Sequence, residues 1–225
     1  MHWKMLVASA GLAVWMGVGA TGGQSAPEPP PTMPVPPIPM PADRAEDSYQ
    51  IYSLLMPGRE FEGDKAAKWV IADTTISAVN LGTMAPDVAF IKVPVGSEAD
   101  FHDLLSDFFV HRQETIHLTP DGFKLPTPFV LLNQEQTRLY GSNIIGLMVL
   151  GETMSKAEQD MRQLVSGAVG LNKFSEVYFN SRHTMAMVYT VQECGPTCGA
   201  GYWVVLGRKD GRWKDLHWMS PGWVS

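Results

Sequence analysis

The only two cysteines of this 225-residue chain, Cys194 and Cys198, stand in the run ECGPTCGAGYW. Thiols so close together, between two strand-like runs, are read as a local disulfide of an oxidising compartment. Closing so short a loop restrains few unfolded conformations, so the bond contributes about 2 kcal/mol at most and its work is to fix the loop. Gly195, Gly199 and Gly201 are expected to supply positive φ angles for a tight reversal there. Redox chemistry is the alternative, because Cys-Gly-Pro-Thr-Cys is one residue longer than the thioredoxin motif Cys-Gly-Pro-Cys. Against it, a thioredoxin cysteine lies at a helix N-terminus that lowers its pKa, and here strands flank the pair. Two cysteines are also only half of a structural zinc site, with no histidine at a supporting spacing. No metal and no cofactor is expected.

The histidines are His2, His102, His111, His117, His183 and His217, and none forms a HExxH helix or a paired metal motif. His111, Glu114 and His117 can converge at a helix end and form a weak polar cluster able to supply a base. There is no GxSxG elbow, Walker loop or GxGxxG, which removes most support for serine-hydrolase, nucleotide and dinucleotide chemistry. Tyr189, Tyr202, Trp203 and Trp213 fall on strand-like runs near the C-terminus. Such aromatics serve either as core or as a platform for a flat apolar or sugar ligand, and both readings stand open.

The elements that must position these residues follow from periodicity and punctuation. Ser48 is placed as the cap of a short helix carrying Ile51, Tyr52, Leu54 and Leu55 and stopped by Pro57-Gly58. Residues 68–77 read as a strand, and a second strand or buried segment is expected over 88–93. A helix opens at Ser97 with Phe101, Leu104, Leu105, Phe108 and Phe109 on one stripe, and Asp103, Asp107 and Arg112 facing away. Residues 125–132 form a strand entered through prolines. Asn133 with Gln136, and Ser155 with Glu158, are capping pairs that start two further helices, the first ending at Gly141. Four strand-like runs then follow, over 174–179, 184–193, 202–206 and 212–218. Their turns are Asn180-Ser181-Arg182, the cysteine loop and Asp210-Gly211, which makes a C-terminal four-strand antiparallel meander. Along the second run, Met185, Met187, Tyr189 and Val191 share one face and Ala186, Val188 and Thr190 the other. One apolar face meets helices; the other closes on itself or forms a homodimer contact.

Composition bounds the rest. A chain 45% hydrophobic with formal charge −6 has material for one core, and its dispersed acidic surface argues against nucleic acid or anionic lipid as main partner. Lys4 and then an uncharged run from Met5 to Ala20 have the form of a signal peptide over residues 1–20, with an uncleaved membrane anchor as the alternative. Residues 21–42 include PEPPPTMPVPPIPMP, an extended spacer on the order of 45 Å long at about 3.1 Å per residue. Residues 43–225 then make one globular domain.

The run FSEVYFNSRHTMAMVYTVQECGPTCGAGYWVVLGRKDGRW, residues 174–213, resembles the C-terminal half of a family of exported bacterial proteins with no assigned activity. Its members share an FSRVGFN-like strand, a TQALVY-like strand, CGxxCGxGxYVxL and a closing NGxW. The resemblance extends backwards through IADTT, the helix from Phe101 and LPTPFVLLNQEQTRLY. This chain departs from it at Glu176 and Tyr178, which stand in place of arginine and glycine. The resemblance implies an exported address and assigns no catalytic residue.

These readings give an α+β domain, several helices on a curved antiparallel sheet, by analogy a cone of the NTF2-like or cystatin-like kind. The expected function is a non-enzymatic, periplasmic or secreted binding or envelope-associated module held off a surface by its spacer, with its ligand unknown. The alternatives are a hydrolase-like enzyme using His111, Glu114 or His117, and redox chemistry at Cys194 and Cys198.

Overall fold

A computed structural model describes residues 36–56, 68–79, 91, 93–143, 155–195, 198–218 and 222–224. The signal peptide or anchor, most of the proline-rich segment, the Pro57-Gly58 stop and most of the 88–93 strand lie outside the described residues.

The chain enters the described fold earlier than residue 43. Strand β1 (Ile38–Pro39) pairs in parallel with β3 (Ile116–His117), anchored by Ile38 N donating to Thr115 O at 2.9 Å. Helix α1 (Ala42–Leu55) follows at once. Ser48 is therefore no cap but a buried mid-helix residue, six residues inside a longer helix. Arg44 and Asp47 interrupt the apolar pattern that would have revealed this, yet both are buried and ion-paired.

The main sheet runs β10-β8-β7-β5-β2-β4, with β6 paired to β7 and β9 to β8. Its strands are β2 (Lys68–Ala72), β4 (Phe129–Leu132), β5 (Ala168–Phe174), β6 (Tyr178–Phe179), β7 (Met185–Gly195), β8 (Cys198–Lys209), β9 (Arg212–Asp215) and β10 (Gly222–Val224). The α+β class and the C-terminal meander are as expected. The sheet is mixed, however, because β2 pairs in parallel with both β4 and β5, each return being made through helix or loop. At the meander's tip, Asp210 and Gly211 both take positive φ, the geometry that a two-residue hairpin turn demands.

Both faces of the sheet are covered. On one, Tyr49, Ile51, Tyr52 and Met56 of α1 pack on Ile71, Phe174, Ala186, Val188, Val204 and Leu206. On the other, helix α2 (Glu98–His111) lays Phe101, Leu104, Leu105 and Phe108 on Tyr178, Met187, Tyr189, Trp203 and Val205. Full burial of such side chains is worth about 1.5–3 kcal/mol each. Helices α3 (Gln134–Asn143) and α4 (Lys156–Leu164) follow the two predicted capping pairs, Asn133 with Gln136 and Ser155 with Glu158. Met161 and Val165 pack there on Val70, Leu132 and Leu171.

This coverage corrects two expectations. No open apolar sheet face remains among the described residues for a homodimer, since the faces of β7 that carry Tyr189 and Val188 are both buried under the chain's own helices. On α2, Phe109 is not in the stripe: it is 58% exposed, beside the Arg112 guanidinium.

Candidate functional site

The aromatic platform does not form. Tyr189 is 0% exposed, Trp203 1% and Trp213 5%, while half-buried Tyr202 packs against the α1-side core. Trp203 meets Phe108 edge-on and lies against Tyr189, and Trp213 donates Nε1–H to Asp47 Oδ1 at 2.9 Å. Tyr189, Trp203 and Trp213 are core residues, and Tyr202 is half-buried against the core, so the four do not share an open face.

Cys194 and Cys198 form a disulfide with Cα atoms 5.1 Å apart, at the turn of the β7–β8 hairpin. Gly199 and Gly201 are not reversal residues: they lie in β8 opposite Glu193 and Val191, and neither has positive φ. Among the described residues the pair is flanked by β7 and β8 and by no helix end, whose field is what activates a redox cysteine.

The polar cluster forms in part, with a different third member. His111 ends α2, and the following turn, in which Glu114 N donates to His111 O, brings Glu114 Oε2 to 3.1 Å from His111 Nδ1. His117 stands apart on β3, 53% exposed at its side chain, with Nδ1 3.9 Å from Asp73 Oδ2. Its place is taken by Glu176, in the link between β5 and β6, and ligand atoms of His111, Glu114 and Glu176 all lie within 4.8 Å of one another. Glu176 is only 3% exposed.

The surrounding contacts explain how an acid is held there. Arg44, in the first turns of α1, donates from Nη1 to Glu176 Oε1 at 2.8 Å, and from Nη2 to Val177 O at 3.0 Å and to Asp107 Oδ2. Asp107 Oδ2 also accepts Phe179 N–H at 2.8 Å, which ties α2 to β6. One oxygen remains: among the described residues Glu176 Oε2 is buried with no hydrogen-bond partner, while His111 Nδ1 has the Glu114 carboxylate 3.1 Å away. Burial pushes the Glu176 carboxyl up to about 7, against the opposing pull of Arg44 and His111. Burial, and then the Glu176 charge, raise the Tyr178 hydroxyl strongly. A half-satisfied buried carboxylate facing an imidazole and a second carboxylate can take up a proton or coordinate a cation.

Glu176 carried a signal in the sequence, a lone acid in the apolar run FSEVYF. Arg44 and Asp107 carried none, because an arginine before a short helix and an aspartate opposite an apolar stripe both read as solvated charges. Compared with known protein families, curated proteins and solved structures, the chain matches none.

Proposed function

We propose that the chain is an exported, non-enzymatic binding module, presented on its proline-rich spacer, whose working site is the cluster of His111, Glu114 and Glu176. One observation carries the binding half: the buried Glu176 Oε2 has no hydrogen-bond partner among the described residues and lies near two groups able to share a ligand with it. Leaving such an oxygen unsatisfied costs about 1–3 kcal/mol, more for a charged group, which a bound ligand would recover. Export is supported by the uncharged segment from Met5 to Ala20, the Cys194–Cys198 disulfide and the likeness of residues 174–213 to exported bacterial proteins. A hydrolase is the second reading, favoured by a carboxyl near 7 beside an imidazole, a base poised for neutral pH.

The test has two arms. Expressed in a bacterium with two membranes, the full chain is expected in the periplasmic fraction with both thiols closed to alkylation until reductant is added. Cytoplasmic recovery with reactive thiols would overturn export. For binding, wild type and Glu176→Gln are melted against metal salts, organic anions, amines and envelope sugars. At least one ligand is expected to stabilise wild type and not the variant. If none does, the binding reading fails; ester or amide hydrolysis that Glu176→Gln abolishes would put the hydrolase in its place.

A further inference from the structure

We propose that His111, Glu114 and Glu176 are the ligands of a divalent transition-metal ion. The proposal rests on the binding-site reading above and names the ligand. Three features of the cluster carry it. The first is the buried Glu176 Oε2, which has no hydrogen-bond partner among the described residues and is brought to His111 from a segment far away in sequence. A ligand atom of Glu176 lies within 4.8 Å of ligand atoms of both His111 and Glu114.

The second is the tautomer. His111 has a carboxylate at each ring nitrogen, Asp107 Oδ1 3.5 Å from Nε2 and Glu114 Oε2 3.1 Å from Nδ1, so a cation held between Nδ1 and Glu114 would leave the ring proton on Nε2, facing Asp107. Asp107 is itself fixed by Arg44 and by Phe179 N–H. A carboxylate behind a ligating histidine is the usual way in which a protein orients the ring and raises its basicity.

The third is charge. Asp107 and Glu176 flank the one guanidinium of Arg44 while Glu114 faces His111, so three carboxylates meet one arginine, and the two charges left over are what one divalent ion supplies. The C-terminal end of α2, where His111 sits, adds a negative dipole end that favours a cation.

Donor chemistry sets the class. One imidazole nitrogen and two carboxylate oxygens, without sulfur, suit zinc or manganese better than calcium or magnesium, which prefer oxygen alone, or Cu(I), which prefers sulfur. At about 2.1 Å per bond, opposite donors of an octahedral ion stand about 4.2 Å apart. The ligand atoms, within 4.8 Å of one another, close on that spacing by small side-chain rotations, and water fills the remaining positions.

The experiment uses the untagged full chain, stripped with chelator and dialysed. Zn²⁺ and Mn²⁺ are titrated against a coloured competing chelator, with Ca²⁺ and Mg²⁺ as controls. One Zn²⁺ or Mn²⁺ per chain is expected, with affinity lowered at least tenfold in Glu176→Gln and in His111→Ala. Because Glu176 is buried, Glu114→Gln, at a half-exposed position, provides a variant that keeps the fold and is expected to lose affinity as well. In NMR spectra of the wild type, Zn²⁺ is expected to move the His111 Nδ1 resonance first among the histidines. Binding that all three variants retain, or a first response at another histidine, would overturn the site. If no transition metal binds but an organic ligand still stabilises wild type over Glu176→Gln, the metal is refuted and the binding module stands.

Discussion

A single buried side chain can organise residues from three elements, and Asp47 does so on the α1 face. Its Oδ1 accepts Trp213 Nε1–H at 2.9 Å, while its Oδ2 lies 3.1 Å from Arg208 Nη1 and 3.2 Å from His183 Nδ1. His183 is held in place by stacking on Phe179 and stands in a positive-φ turn position, so the acid also fixes the corner between β6 and β7. Removing the carboxylate leaves a buried indole N–H unpaired and strips a guanidinium of its counterion. Loss of a fully buried partner costs about 3–5 kcal/mol, but Arg208 and His183 are each one-third exposed and water replaces part of what they lose. Asp47→Ala is therefore expected to lower stability by about 2–3 kcal/mol and Asp47→Asn by less, since an amide oxygen still accepts from Trp213. Urea denaturation measures both; a loss below about 1 kcal/mol for the alanine variant would show that the cluster is surface decoration.

Helix α2 shows what a sequence reveals of an element and what it conceals. Its extent and apolar stripe were legible, because Phe101, Leu104, Leu105 and Phe108 repeat at helical spacing and are buried. Its second stripe was not. Asp100, Asp103, Asp107 and His111 also recur at three- and four-residue spacing, and of these Asp103 and Asp107 read as facing away from the core. Yet Asp100 pairs with Arg182, Asp103 accepts Ser181 N–H at 2.7 Å and Ser181 Oγ at 2.6 Å, and Asp107 meets Arg44. Periodicity identifies a face; it does not report whether water or protein lies against a polar one. The same blindness hid α1, whose inward Arg44 and Asp47 look like surface residues, and the site's third member, which depends on a link 65 residues beyond His111. Capping pairs and the Asp210-Gly211 turn were legible because their chemistry is local. Two adjacent phenylalanines test the corrected register. Phe108 packs edge-on against Tyr178 and Trp203, so Phe108→Ala is expected to cost about 3–5 kcal/mol. Phe109→Ala removes an exposed ring and its contact with Arg112, at a cost below about 1 kcal/mol. Comparable denaturation midpoints for the two would return Phe109 to the core stripe.

The pH dependence of the whole molecule carries the imprint of its buried acid. The folded-state carboxyl of Glu176 is raised to about 7 from an ordinary 4.5, mainly by burial. The folded chain therefore binds a proton that the unfolded chain has already released between those two values, and stability must fall as pH rises through that window. A carboxyl raised from 4.5 to about 7 corresponds to about 3 kcal/mol. Asp103 acts with the opposite sign and elsewhere: hydrogen bonds from the Ser181 side chain and backbone hold its carboxyl below 3.8, so its contribution is present above that value and lost in stronger acid. The two effects are separable because their windows do not overlap. In chelator-containing buffer, the unfolding free energy of wild type is expected to decline from pH 5 to 7.5, and Glu176→Gln, whose amide cannot ionise, is expected to flatten that decline. The variant should thus gain on wild type as pH rises, whatever its absolute stability, so a general loss of packing cannot imitate the result. Parallel profiles for the two proteins would mean that Glu176 titrates as an ordinary solvated acid, and that the pocket around it is open to water.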